Sequence, residues 1–369
     1  MESAPGPETV IDGVRYLYFA GTSYFGLHGD DRVIDAGCEA LTLFGVHTAT
    51  SRGGFGNSSL VNDVERSAAK FFGRQDAFYF STGYVANHIA VQSLADDVDA
   101  IYVDAGSHYC VREAAKLGGK PVFEFEHRSA ESLRSRLVSG IRPLVLADGV
   151  VPASGRLAPV PEYLTVLRDF APGVLHLDDA HAVGVIGPDG RGTFDHFGLW
   201  QHANGGPPCD GITLSMCGTL AKALGGYGGI IPGTPEFVDR ARHSSHYYDG
   251  ASAPAAPMAG CSLMGLDICR REPERRKRLK NNIHRLRTGL RSMGLNVSDD
   301  PTPNVGVVFR DAATMQRLHT ELKSRGILVP YVSGYSGIDA TGLMRIAVCS
   351  EHTNAMIDRL LVSLRELFQ

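Results

Sequence analysis

Residues 216–229 read Met-Cys-Gly-Thr-Leu-Ala-Lys-Ala-Leu-Gly-Gly-Tyr-Gly-Gly. A single lysine, Lys222, stands in this apolar, glycine-rich stretch, directly after Gly211 to Met216, whose pattern predicts a buried strand. A lone ammonium is costly to bury, so the position needs a chemical reason. A hydroxyl, Thr219, lies three residues upstream, within reach of the same turn.

Outward from this stretch the chain alternates. Ala77 to Phe80, Ala100 to Val103, Val122 to Phe125, Arg142 to Ala147 and Val174 to Leu177 are apolar runs of strand length. Helical patterns fall between most of them, at Val85 to Leu94, Ala130 to Val138 and Glu162 to Phe170. Apolar strands alternating with helices predict an α/β fold, a mostly parallel central sheet with helices on both faces. Upstream, the first eight or so residues read as disordered and Tyr16 to Ala20 as a short strand. Arg32 to Phe44 reads as an amphipathic helix, Ser51 to Ser59 as a glycine- and serine-rich loop, and Val61 to Phe72 as a helix.

Downstream, the proline-rich stretch Ala253 to Pro257 marks a boundary. A long helical segment follows, with a basic run from Arg270 to Lys280. Glu272 and Glu274 interrupt it, and Leu279, Ile283, Leu286 and Leu290 supply an apolar stripe, so the run reads as a solvated helix face. Strands at Val305 to Phe309, Ile327 to Val329 and Leu343 to Val348, with helices at Ala312 to Arg325 and Asn354 to Leu367, predict a small α+β domain. The expected division is an N-terminal segment 1–45, a large domain 46–250 and a C-terminal small domain 251–369.

Composition narrows the function classes. The chain has 369 residues, of which 43% are hydrophobic and 21% charged, as in a soluble globular protein. A net charge of −4 calls for neither nucleic acid nor an anionic membrane. The seven cysteines are scattered without a CxxC pair, which disfavours a zinc site or a disulfide framework and favours a reducing compartment. The stretch MESAPGPE carries no apolar signal core, and no apolar run reaches the roughly 18–20 residues of a membrane span. A cytoplasmic location is the expectation.

In an open parallel sheet, ligands bind at the carboxyl ends of the strands. After Ala77–Phe80 comes Ser81-Thr82-Gly83-Tyr84, where a glycine and the first helical N–H groups suit a phosphate. After Ala100–Val103 comes His108, placed to stack on a planar ring. After Val174–Leu177 come Asp178, Asp179 and His181. Adjacent carboxylates on a strand point to opposite faces, so one at most aims at a given ligand. A buried carboxylate beside a ring nitrogen favours its protonated form. His176 is the sole nearby candidate for a metal ligand, too few for a metal site. Neither GxGxxG nor GxxxxGK[ST] occurs, which removes the main support for dinucleotides and nucleoside triphosphates. An anion cradle, a carboxylate, ring-contacting histidines and the amine of Lys222, each following a predicted strand, meet the needs of pyridoxal 5'-phosphate.

With these residues in hand, the chain resembles the pyridoxal-phosphate fold-type-I enzymes and, among them, the α-oxoamine synthases. The likeness runs from about Tyr16 to Leu367. It rests on Ser-Tyr-Phe-Gly-Leu at 23–27, Ser-Thr-Gly-Tyr-Val-Ala-Asn at 81–87, Asp-Asp-Ala-His-Ala-Val-Gly-Val-Ile-Gly at 178–187 and Gly-Thr-Leu-Ala-Lys-Ala-Leu-Gly-Gly at 218–226. Leu-Met-Arg-Ile at 343–346 and Glu-His-Thr at 351–353 add to it. The resemblance implies that Lys222 carries the cofactor aldehyde and moves the Cα proton. It implies that Asp178 partners the pyridine nitrogen, His181 the phenolic oxygen and His108 the ring face, with Gly83, Tyr84 and Thr219 at the phosphate. It further implies that Ser252 lends a hydroxyl to the neighbouring subunit's phosphate in a homodimer, and that Arg345 grips the substrate carboxylate.

Three positions depart from the family pattern. Thr22-Ser23 stand where an Asn-Asp pair is usual, placing Thr22 at the substrate; Val61 replaces a histidine; and Pro152 replaces a serine near the cofactor. The implied reaction joins an amino acid to an acyl thioester, on coenzyme A or an acyl carrier protein, with decarboxylation to an aminoketone. An aminotransferase or other amino-acid-converting enzyme, and a non-catalytic subunit of the same fold, are the alternatives.

Overall fold

The structure, a computed structural model, describes residues 1–368. The first residues are ordered rather than disordered. Strands β1 (Glu8–Ile11) and β2 (Val14–Tyr18) form a hairpin, and Glu2 N donates to Val10 O at 2.7 Å. The turn is Asp12-Gly13, with φ of 51° and 74°, the backbone that an Asp-Gly hairpin turn requires.

The central sheet holds β3 (Asp76–Phe80), β4 (Ala100–Asp104), β5 (Val122–Phe125), β6 (Pro143–Asp148), β7 (Gly173–Asp178), β8 (Ile212–Thr219) and β9 (Gly229–Gly233). Their spatial order is β3-β9-β8-β7-β6-β4-β5. Pairs from β5 through β8 are parallel, while β9 runs antiparallel to both β3 and β8. Every residue of β4, β6 and β7 is buried, as a sheet covered on both faces demands. The sequence reading did not anticipate β9. Its residues, Gly-Ile-Ile-Pro-Gly, carry two glycines and a proline, which obscure the strand pattern. This strand returns the chain beside β8 and so makes the Lys222 segment a tight connection at one end of the sheet.

The small C-terminal sheet pairs β10 (Asn304–Val307) with β13 (Leu343–Ala347) and β13 with β12 (Tyr331–Val332), all antiparallel. Strand β11 (Ile327–Leu328) pairs instead with β2, in parallel. The N-terminal hairpin is thereby stitched to the C-terminal part of the chain. The long helical segment is two helices, Ala256–Arg271 and Pro273–Arg291, because Pro273 lacks the N–H that would continue the first. The first packs closely on the helix Asp31–Phe44: a side chain on Gly260 would place its Cβ 2.5 Å from Ala36 O. The basic run is less solvated than expected, since Arg275 bridges Asp30, Glu272 and Glu351. Within the glycine-rich segment, Arg52 is buried and forms a bidentate pair with Glu65 at 2.6 and 3.0 Å, while also donating to Tyr79 O.

His352 ties this C-terminal part to the N-terminal strand region. Its ring stacks on Phe19 at 4.4 Å between centroids, and its Nδ1 accepts from Cys349 N at 2.9 Å. Burial pushes its pKa down to about 4, and does the same for His176 in β7. The unfolded chain therefore binds these protons more readily than the folded one. The stability that comes from keeping both rings neutral is full above pH 6.5 and is lost as pH falls towards 4. Chemical denaturation between these pH values should show a loss approaching roughly 3 kcal/mol per histidine at the acid end. His352→Phe keeps the stack and should flatten that slope; an unchanged slope would contradict the assignment.

Candidate active site

Strands β6 and β7 end in Asp148 and Asp178, which are register partners across the ladder. Beyond these ends lies a cavity of about 200 Å³, lined by Gly83, Tyr84, His108, Cys110, Asp148, Pro152, Asp178, Ala180, His181, Thr219 and Lys222. The structure thus gathers into one space the residues read separately after four predicted strands. The alternation rule holds at the acidic pair. Asp178 faces the cavity, while Asp179 turns away to accept from Thr193 N at 2.8 Å and Thr193 Oγ1 at 2.6 Å. Burial raises the Asp179 carboxyl to about 7.

Lys222 follows β8 within the connection to β9. Burial holds its amine below the ordinary lysine pKa, even though Asp178 and Asp148 pull the other way. A neutral amine is the nucleophilic form. Burial pushes Asp148 well above the usual carboxylate range, and the charge of Asp178 adds to the effect. Asp148 Oδ2 accepts from His108 N at 2.8 Å, so it fixes the chain where His108 enters the cavity. The His108 ring caps the following helix, Tyr109–Ala115, its Nδ1 accepting from Cys110 N at 3.3 Å. Burial lowers its pKa too. The ring sits 6.0 Å from Tyr84 and 6.1 Å from Tyr335, centroid to centroid. Burial, with the nearby cations Lys222 and Arg345, drives His181 far below its ordinary value. Its Nδ1 shares a 2.8 Å hydrogen bond with Tyr24 Oη.

The cradle is built by close packing. A side chain on Gly83 would place its Cβ 2.9 Å from Thr219, so only glycine leaves the space. Thr219 Oγ1 donates to Gly228 O at 2.7 Å and accepts from Ala221 N at 3.1 Å, which holds the turn that carries Lys222. The Tyr84 hydroxyl donates to Glu113 at 2.7 Å, so this residue offers the cavity its ring and backbone rather than its hydroxyl. An amine with lowered pKa, a carboxylate, two neutral imidazoles and a glycine cradle fit pyridoxal phosphate.

Three expected site residues stand outside the cavity wall. Arg345 lies behind Pro152, donating from Nε to Pro152 O at 2.9 Å and from Nη1 to Gly21 O at 3.2 Å. Thr22 follows Gly21, and its carbonyl accepts from Tyr24 N at 2.8 Å. Ser252 lines a separate cavity with Arg52, Ser81 and Thr82, and its carbonyl accepts from Ser81 Oγ at 3.2 Å. Of the departures, Val61 is buried in the core. Pro152 takes up a polar role through its carbonyl, which also accepts from Asn304 Nδ2 at 2.9 Å.

The sequence reading missed Tyr24, Asn87, Cys110 and Asp148 as members of the site. Tyr24 and Asn87 lay inside stretches already singled out, at 23–27 and 81–87, and Asp148 directly follows the predicted strand Arg142 to Ala147. Cys110 follows His108 by two residues. Nothing in the local pattern says that Asn87 meets Asp178 or that Tyr24 meets His181.

Known proteins supply an independent comparison. Residues 24–364 match the family described as aminotransferase class I and II. The 8-amino-7-oxononanoate synthase of Methylococcus capsulatus is 33% identical over 99% of this chain and 92% of its own. That of Pseudomonas putida is 32% identical over 100% and 92%. Among solved structures, serine palmitoyltransferase from S. paucimobilis with a bound PLP-myriocin adduct superposes with a TM-score of 0.88 at 28% identity, covering 100% of this chain and 91% of that one. An 8-amino-7-oxononanoate synthase from Francisella tularensis shares the fold, with a TM-score of 0.77 at 20% identity over 95% and 97%. Matched along nearly its whole length by sequence and by structure, the chain belongs to the class I and II aminotransferases and, among them, to the α-oxoamine synthases.

Proposed function

We propose that this protein is a pyridoxal-phosphate-dependent acyltransferase. It joins an amino acid to an acyl thioester, releasing the thiol and the carboxyl group as carbon dioxide, and leaves an aminoketone. The observation that carries this reading is the Lys222 amine, its pKa lowered by its surroundings, sharing one small cavity with the Asp178 carboxylate. When bound, pyridoxal phosphate supplies a covalent anchor and an electron sink for the pair left at the amino-acid Cα.

The chain's own groups do the rest. Lys222 Nζ would hold the aldehyde group, and its amine would take the proton from the amino-acid Cα. Asp178 keeps the ring nitrogen protonated. His181 would offer its Nε2 to the phenolic oxygen of a bound cofactor, since Nδ1 is engaged by Tyr24. His108 would cover the face of a bound ring and limit water there. Gly83, Tyr84 and Thr219 hold the phosphate through backbone and turn geometry. The planar guanidinium of Arg345 grips the substrate carboxylate, and Thr22 stands beside it.

Lys222→Ala should lower turnover about a thousand-fold or more and remove the cofactor adduct that borohydride otherwise fixes on this residue, read by peptide mass mapping. Retention of both would end the proposal. Arg345→Lys loses the fork geometry and should raise KM for the amino acid on the order of ten-fold, with a smaller change in kcat. An unchanged KM would remove Arg345 from the carboxylate.

We also infer a cytoplasmic homodimer. All seven cysteines are free, and no helix among the described residues is long and apolar enough to cross a membrane. Ser252 lies outside its own chain's Lys222 cavity, while Leu43, Phe44, Val46 and Phe55 are exposed apolar side chains on the segment around Ser51, which bridges to Ser252. If Ser252 serves the partner's phosphate, refolding inactive Lys222→Ala with inactive Ser252→Glu in equal amounts should restore about a quarter of wild-type activity, since each mixed dimer keeps one intact site. No recovery would place Ser252 elsewhere.

A further inference from the structure

Behind the Asp178 carboxylate runs a chain of polar side chains closed off from solvent. Asn87 Nδ2 donates to Asp178 Oδ2 at 2.7 Å. Asn87 Oδ1 lies 3.1 Å from His176 Nε2, and His176 Nδ1 lies 2.9 Å from Ser215 Oγ. Asn87, His176 and Ser215 are each 0% exposed. The topology explains their meeting. His176 and Asp178 are alternate residues of β7 and share a face, and Ser215 is the register partner of His176 on β8. Asn87 comes from the helix Ala86–Leu94, which directly follows the glycine cradle.

The chain has one consistent polarity. An ionised carboxylate only accepts hydrogen bonds, so Asn87 must turn its NH₂ towards Asp178. Its amide oxygen then faces His176 and only accepts, which puts the imidazole proton on Nε2. A neutral imidazole has a single N–H, so Nδ1 is bare and takes the Ser215 hydroxyl proton. Every donor therefore points towards Asp178. Burial keeps His176 neutral down to about pH 4, so this orientation persists across the working range. The remaining neighbours agree with it. Cys217 Sγ lies 3.4 Å from Asn87 Oδ1 and 3.6 Å from His176 Nε2, and Cys110 Sγ and Ala180 N donate to Asp178 at 3.4 and 2.9 Å.

Lone pairs complete the argument. A carboxylate has about four acceptor sites. Asn87 and Cys110 use those of Oδ2, and Ala180 uses one of Oδ1. One site on Oδ1 is left for a further N–H donor.

We propose that Asn87 and His176 are positioning residues that hold the Asp178 carboxylate aimed, so that a bound pyridinium ring keeps its nitrogen proton. This rests on the reading of Asp178 as the ring-nitrogen partner. The test uses holoenzyme loaded with nitrogen-15-labelled pyridoxal phosphate. The ring-nitrogen NMR shift reports protonation directly, alongside the cofactor Kd and steady-state kinetics. Asn87→Ala and His176→Leu should move the shift towards the unprotonated value, raise the Kd about ten-fold and lower kcat with little change in KM. His176→Gln restores an N–H donor and should recover most of the shift. Asn87→Asp, which preserves shape but faces Asp178 with an acceptor, covers the case in which the truncated variants do not fold. If Asp178→Asn moves the ring shift and the Asn87 and His176 variants leave it in place, the positioning roles are overturned while the Asp178 reading stands. If Asp178→Asn leaves it in place, the Asp178 reading falls and this inference with it.

Discussion

Two buried carboxylates, Asp148 and Asp178, stand side by side at the ends of neighbouring parallel strands, and the site is organised around keeping them there. Like charges at this separation and depth oppose each other strongly. The chain resolves the conflict asymmetrically. Asp148 is driven towards its neutral form and receives a backbone N–H from His108, while Asp178 is surrounded by donors. The Lys222 amine faces the same pair and is itself held towards its neutral form by burial. Two carboxylates, one of them driven towards its neutral form, and one weakened base therefore share a single cavity.

The surrounding turns pack tightly to preserve this arrangement. Asp179 points away from the cavity, and the glycines beside it are compulsory: a Cβ on Gly149 would lie 1.9 Å from Asp179 Oδ1, and one on Gly192 would lie 2.3 Å from Asp179 Oδ2. Asp179 in turn holds the backbone and hydroxyl of Thr193, so the carboxylate that faces away anchors the loop behind the one that faces the cavity. The aromatic and imidazole rings of Tyr24, His181, His108 and Tyr335 are positioned by elements from distant parts of the chain.

Of the departures at Thr22 and Pro152, only Pro152 lines the cavity, and the structure shows how the protein absorbs it. A serine at position 152 would offer a hydroxyl, which proline cannot. Here the Pro152 carbonyl receives Arg345 Nε and Asn304 Nδ2, so the arginine is braced from behind by main chain. The His108 side of the cavity gains a further contact from the small domain, where Ser336 Oγ donates to Ser107 O. The loop after β4 is thus held in part by the segment between β12 and β13.

Much of this was legible in the sequence because it is encoded locally. Apolar runs of strand length, the helices between them and the residues that follow each run are properties of short windows, and they located Lys222, Asp178, His181, His108 and Gly83. The hairpin before residue 15, strand β9 and the break at Pro273 were harder, since short, glycine- and proline-bearing pieces form strands only when neighbours pair with them. The rest was decided by tertiary structure alone. Asn87 meets Asp178 across 91 positions, and Tyr24 meets His181 across 157. The sequence determined which chemical groups would stand at the strand ends. Only folding decided which of them touch, because hydrogen-bond partners of buried polar groups are chosen by the packing of whole elements and not by spacing along the chain.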